Sequence, residues 1–143
     1  MSKTLAGRCL CGAFSFQVTG SLGEVRLCHC DICRRANGGA YSVNCRVSRE
    51  LFIAPQDMSG ITEYQSSPGA WKAFCATCGS PVYSRVDWDP DGIRLRLGTF
   101  DRDVEVDVTA HVWVGSKAIW DQITDDLPCY EKGADSPLIE RER

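Results

Sequence analysis

The chemistry written into this chain is carried by cysteine. Nine occur, as Cys9-x-Cys11, Cys28-x-Cys30-x-x-Cys33 and Cys75-x-x-Cys78, with Cys45 and Cys129 standing apart. Two explanations compete for so many thiols, a disulfide scaffold and metal sites. Thiolates one to three residues apart on a tight turn can converge on one ion at a Zn–S distance of about 2.3 Å, whereas such close neighbours seldom form an unstrained disulfide with each other. Met1-Ser2-Lys3-Thr4 leads into a cysteine-bearing segment with no apolar signal core. An oxidising compartment is therefore not expected, and the spacing favours zinc.

A structural zinc takes four protein ligands, and a chemically active one usually keeps three and leaves a position for water or substrate. Cys28, Cys30 and Cys33 supply three thiols locally, so the pairs Cys9/Cys11 and Cys75/Cys78 are left to complete one tetrahedral site. That site would clamp the N-terminal strand region to the second half of the chain. Gly12 and Gly79 directly follow Cys11 and Cys78, which suits knuckle turns where backbone N–H groups swing toward sulfur. One zinc only, with the other cysteines as plain thiols or core residues, is the competing arrangement.

The elements that must position these groups are short. The chain has 143 residues and 15.8 kDa, the size of one domain that buries about two-thirds of its unfolded surface. Thirteen Gly and six Pro favour short strands and turns. Alternation places strands at Ala13 to Thr19, Tyr41 to Val47, Leu51 to Ala54, Ile61 to Gln65, Trp71 to Phe74, Val82 to Val86, Ile93 to Leu97 and His111 to Val114. Cys45 shares a face with Tyr41, Val43 and Val47 and reads as a small core hydrophobe. Asp31 is expected to cap a single helical turn that Asn37-Gly38-Gly39 stops, and Ser116 to start a short helix through Trp120. The expected organisation is one zinc-binding β domain over residues 1–136 and a charged, flexible tail over 137–143.

Charge narrows the partners. Sixteen Lys plus Arg against nineteen Asp plus Glu leave a net charge of −3, which disfavours nucleic acid unless a local basic patch escapes the average. No apolar run approaches the roughly eighteen residues of a membrane span. The reading is a soluble cytoplasmic protein without membrane contact, for which a homodimer joined at an exposed strand edge is one open arrangement.

In order along the chain come Cys9-Leu10-Cys11-Gly12, Cys28-His29-Cys30-Asp31-Ile32-Cys33-Arg34, Phe74-Cys75-Ala76-Thr77-Cys78-Gly79-Ser80, His111-Val112-Trp113-Val114-Gly115-Ser116-Lys117-Ala118 and Asp125-Asp126-Leu127-Pro128. From about Gly7 to Gly133 this pattern resembles the glutathione-dependent formaldehyde-activating enzyme family of carbon–sulfur lyases. The resemblance implies a mostly β, single-domain β-tent of short antiparallel strands with short helical turns. It further implies two zincs per chain, a structural one on Cys9, Cys11, Cys75 and Cys78 and a second on Cys28, Cys30 and Cys33 with an open position. The activity it implies joins a small thiol, glutathione, to a small aldehyde, formaldehyde, as S-hydroxymethylglutathione.

Three thiolates already give a zinc complex a net negative charge, so a fourth sulfur calls for nearby cations. Arg34 and Arg35 are the local candidates, for that charge or for a carboxylate of glutathione, against the alternative of exposed surface arginines. His29, between two ligand cysteines, is expected to point away from the metal, as a supporting hydrogen-bond partner or an exposed ring. His111, in an apolar strand, reads as a satisfied structural residue ahead of a base. Among the tryptophans, Trp113 reads as core, while Trp88 and Trp120 are the better ligand contacts. Asp87, Asp89 and Asp91 make an ordinary solvated turn, since Pro90 and a missing distal glutamate argue against a calcium loop.

Two other classes stand beside the zinc enzyme. One is a zinc-stabilised binding or chaperone-like module without catalysis. The other is a thiol redox enzyme, for which Cys129 is the one available cysteine, although no cation in the neighbouring sequence acidifies it.

Overall fold

Strands whose alternate residues are apolar build nearly all of this protein. The computed structural model describes residues 3–140. In chain order it contains β1 (Thr4–Arg8), β2 (Ser15–Thr19), β3 (Val25–Cys28), α1 (Asp31–Asn37), β4 (Ser42–Ser48), β5 (Phe52–Ile53), β6 (Ile61–Ser67), β7 (Ala70–Cys75), β8 (Pro81–Val86), β9 (Gly92–Arg96) and β10 (Val108–Val112). A three-stranded sheet runs β1-β2-β5, and a seven-stranded sheet runs β10-β3-β4-β9-β8-β7-β6. The paired strands are antiparallel apart from β10 and β3, which run parallel. The mostly β expectation holds.

Each sheet turns its apolar residues to a common core. Phe14, Phe16 and Val18 meet Val25, Cys45, Val47, Val82, Ile93 and Leu95, all buried. Cys45 thus packs as the alternation predicts. Phe16 is the centre of the aromatic packing, with its ring 5.5 Å from both Phe52 and Phe100.

The opposite face of the large sheet is polar, because its strands are two-faced. In β9, Ile93 and Leu95 enter the core while Arg94 and Arg96 face the other way. Register then sets side chains from five strands beside one another: Arg26 opposite Asn44, Asn44 opposite Arg96, Arg46 opposite Arg94, Arg94 opposite Ser84, and Ser84 opposite Lys72.

Four local expectations need correction. Strands β1 and β3 lie where no strand was expected; Thr4-Leu5-Ala6-Gly7-Arg8 has few β-branched residues and gains its strand from pairing with β2. Helix α1 is capped by Cys30, whose sulfur accepts from the Cys33 N–H, and not by Asp31, and it closes on Gly38 at φ 71°. No helix runs from Ser116 to Trp120. There the backbone N–H groups of Trp113, Val114 and Gly115 are held by the carbonyls of Lys132, Tyr130 and Glu131, leaving only a single 3-10 turn, Val114–Ser116.

The expected tail falls partly outside the described residues, at 141–143. Before them, the Pro137 carbonyl accepts from Glu131 N–H and the Ile139 N–H donates to the Cys129 carbonyl, so this stretch pairs with the segment after β10.

Gly7 shows how tightly the two sheets meet. A Cβ there would collide with the Phe16 ring and lie 2.8 Å from the Thr99 carbonyl oxygen, which belongs to backbone and cannot swing away. Gly7→Ala is expected to lower unfolding free energy by about 1–3 kcal/mol in urea titration. Gly98→Ala, where a Cβ meets open space, should change it by less than about 0.5 kcal/mol.

Candidate functional site

Two cysteine clusters form, with the membership the spacing predicts. In the first, the sulfurs of Cys9, Cys11, Cys75 and Cys78 all lie within 4.8 Å of one another. Cys9 follows β1 and Cys75 ends β7, so the cluster joins the small sheet to the large one. The Cys9–Cys11 and Cys11–Cys75 sulfurs are 3.7 Å apart, and none of the nine cysteines forms a disulfide.

The turns are shaped around these sulfurs. Phe14 N–H donates to Cys9 Sγ and Ala13 N–H to Cys11 Sγ, each at 3.4 Å, while Thr77 and Cys78 N–H both donate to Cys75 Sγ. Gly12 at φ 80° and Gly79 at φ 77° allow these reversals. Ser80 links the two knuckles, accepting from Leu10 N–H at 2.9 Å and standing 3.0 Å from Cys78 Sγ. Hydrogen bonds from Ser80 are the main cause of a Cys78 thiol pulled down to about 5. The four converging sulfurs could hold one metal ion.

In the second cluster, Cys28 ends β3, Cys30 caps α1, and Cys33 lies in its first turn, again with all sulfurs within 4.8 Å. The nearest cations come from elsewhere. Lys72 of β7 places its ammonium 3.7 Å from Cys33 Sγ and 3.4 Å from Ser84 Oγ. Arg96 of β9, only 6% exposed, donates to Ser84 Oγ at 2.8 Å and to Asn44 Oδ1. The Cys33 thiol is held far below the usual range, first by hydrogen bonds from Cys28 and Cys30 and then by the Lys72 charge.

Arg34 donates to the Ser116 carbonyl at 3.0 Å, and Arg35 pairs with Asp31 at 3.3 Å on the surface. The sequence signal for the cations that do approach is the alternation Ile93-Arg94-Leu95-Arg96-Leu97, which sets two arginines on the non-core face of one strand.

His29 is not exposed at all, contrary to one of the two expectations for it. Its Nε2 lies 2.7 Å from His111 Nδ1, and His111 Nε2 lies 2.8 Å from Asp125 Oδ2. An ionised carboxylate only accepts, so His111 donates from Nε2 to Asp125, and its Nδ1 shares one proton with His29 Nε2. Burial first, then the neighbouring His111, pulls His29 down to about 4, so the ring is neutral at pH 7. The pair ties the loop carrying Cys28 and Cys30 to β10. Both ring nitrogens of His111 thus have partners, one of them the histidine between Cys28 and Cys30.

A cavity of about 570 Å³ opens against Cys28 and Cys33, walled by Lys72, Trp71, Arg94 and Trp113 among others. Trp113 is 39% exposed at φ 59°, so the core assignment made for it is wrong: the backbone turns over there and delivers the ring to the cavity wall. Trp120 is 66% exposed and lies outside this wall, as does Trp88. Trp71 carries the Arg85 guanidinium 4.8 Å above its ring. On the other side of Lys72, a second cavity of about 460 Å³ is lined by Ile32, Ala36, Tyr64, Phe74 and Pro81. Cys129 is buried, its sulfur 3.7 Å from the Leu127 carbonyl. Asp89 binds Arg46 through both carboxylate oxygens at 2.8 Å and Arg94 at 3.2 Å, so the acidic turn anchors arginines. Among the described residues no helix is long and apolar enough to cross a membrane.

A family model described as glutathione-dependent formaldehyde-activating enzyme matches residues 4–116. No curated protein matches the chain. Among solved structures, a Rhodobacter sphaeroides protein is 23% identical, with a TM-score of 0.58 over 73% of this chain and 99% of that one. At that identity the likeness speaks for the fold.

The Lys72 contact has a direct readout. In metal-stripped protein, Lys72→Met is expected to raise the apparent pKa for alkylation of Cys33 by iodoacetamide by about one unit, followed by peptide mass spectrometry across a pH series. An unchanged profile would show that the ammonium does not act on the cluster.

Proposed function

The chain belongs to the glutathione-dependent formaldehyde-activating enzyme family, and from that premise we propose that it is a zinc enzyme of carbon–sulfur lyase type. It interconverts glutathione plus formaldehyde with S-hydroxymethylglutathione. The observation that carries this reading is a three-sulfur cluster at the wall of a cavity large enough for a peptide-sized thiol. A four-sulfur cluster stands apart from it.

Zinc suits both donor sets. Sulfurs arranged tetrahedrally at about 2.3 Å from one ion stand about 3.8 Å apart, close to the 3.7 Å separations in the four-cysteine cluster. Cys9, Cys11, Cys75 and Cys78 would close a structural site. Cys28, Cys30 and Cys33 would hold the second ion and leave one position for the substrate. There zinc supplies Lewis acidity that favours the thiolate of an incoming thiol.

The chain's own residues do the rest. Lys72 sets a positive charge beside the cysteines, offsetting a sulfur-rich group that would otherwise repel one more thiolate. In this reading the same ammonium donates to the oxygen that gains charge as the carbon–sulfur bond forms. The proton lost by the thiol ends on that oxygen, so the addition is balanced without any redox partner. His29 and His111 hold the Cys28–Cys30 loop in place. Nine thiols with no disulfide suit a reducing compartment such as the cytoplasm. Burial of Cys129 withholds its thiol from redox chemistry.

Protein purified without chelator should carry two zincs per chain by elemental mass spectrometry, and it should form S-hydroxymethylglutathione faster than the uncatalysed mixture. Cys30→Ser should lose one zinc and at least about 100-fold of that rate while keeping most of its thermal stability. Cys75→Ser should lose the other zinc and melt at much lower temperature. Two bound zincs with no rate above background would overturn the enzyme and leave a zinc-stabilised binding module.

A further inference from the structure

The cavity of about 460 Å³ beyond Lys72 has no part in the chemistry described so far. Formaldehyde carries no substituent that could enter it. Helix α1 contributes Ile32 and Ala36 to its wall, and strands β6, β7 and β8 contribute Tyr64, Phe74 and Pro81. Most of that surface is hydrocarbon, and its polar side chains are largely committed elsewhere. Arg35 pairs with Asp31, Arg96 donates to Ser84 and Asn44, and Ser66 Oγ donates to the Ala70 carbonyl. Among the described residues no acidic side chain lines it. Ile32 is 39% exposed and Tyr64 66%, so an apolar group seated here would take both out of water.

Lys72 is the side chain common to this cavity and to the one that holds Cys28 and Cys33. Its ammonium lies 3.7 Å from Cys33 Sγ. In the reading above, the substrate sulfur stands at the cysteines and the aldehyde oxygen at that ammonium. The carbon between them bears four groups once the bond has formed: sulfur, oxygen, hydrogen and one substituent. With the oxygen in hydrogen-bond reach of Lys72, the carbon lies about 4 Å from the ammonium. Its substituent therefore starts where the second cavity begins.

Resting on that reading, we infer that the second cavity receives an apolar substituent on the reacting carbon. The aldehyde class is then alkyl or aryl, up to a phenyl ring or a chain of about six carbons, with formaldehyde as its smallest member. The step stays balanced for the larger aldehydes. A carbon–sulfur bond forms, the carbonyl π bond opens, and the thiol proton ends on the oxygen, so no oxidant or reductant takes part.

The test compares S-hexylglutathione with S-methylglutathione by calorimetry on zinc-loaded protein, so that neither aldehyde reactivity nor turnover enters. S-hexylglutathione has the carbon skeleton of the hexanal adduct. It is expected to bind at least about tenfold more tightly than the methyl compound. Ala36→Glu, which sets a charge in the apolar wall, should reduce that gap to less than about threefold, and Tyr64→Ser, which removes an aromatic wall, should narrow it. Equal binding of the two compounds by the unaltered protein, no binding of either, or a gap that survives both substitutions would overturn the inference. Ala36 and Tyr64 are both exposed, circular dichroism checks the fold of each variant, and the comparison on unaltered protein stands without them. Turnover of glutathione and formaldehyde, measured separately, judges the reaction itself. Turnover without a hexyl preference sinks only this inference, whereas a hexyl preference without turnover sinks only the reaction.

Discussion

Two thiols, Cys9 and Cys75, are buried where the small sheet meets the large one, and the rest of the fold depends on how their sulfurs are satisfied. A sulfur anion in a core is tolerable only with close donors and a counter-charge. The donors are present as backbone N–H groups from both knuckles. The counter-charge is what a metal ion supplies. With short strands and a seven-residue helix, the protein has few long elements to hold the junction by packing alone. A metal ion held by these four sulfurs would link the sheets directly, and the aromatic cluster around Phe16 packs beside them.

The same economy of parts governs the second cluster. Its three sulfurs come from one strand end and one helical turn, and the cations beside them arrive from distant strands. Lys72 and Arg96 reach across from β7 and β9, and β10 brings His111 to His29. The helix's own Arg34 and Arg35 turn to other partners. A negative chain thereby carries a positive face beside its sulfurs, because sheet register concentrates residues that sequence order scatters.

This division explains what could be read from the sequence. Cysteine clusters were legible because ligands on a tight turn must be neighbours in the chain, and strand alternation was legible because its period is local. Long-range pairing was not. Cys33 and Lys72 are 39 residues apart and His29 and His111 are 82 apart, and neither separation leaves a trace in the local pattern. Strand β1 owes its form to its partner more than to its composition. Cys30 as a helix cap was missed because a thiol is seldom used where Ser, Thr, Asp or Asn usually serve. Trp113 misled for a different reason: its neighbours alternate like a strand, but the backbone leaves the strand at that residue.

The pairing of β10 with β3 joins segments that emerge far apart in synthesis. Cys28, Cys30 and Cys33 leave the ribosome long before His111, so the nascent chain carries an unclamped thiol triad for most of its synthesis. Only when the strand holding His111 slides alongside β3 does the buried His29 find its partner and the loop between the cysteines become fixed. Any chain cut short before that strand would retain every cysteine of both clusters while leaving one of them on a loose loop.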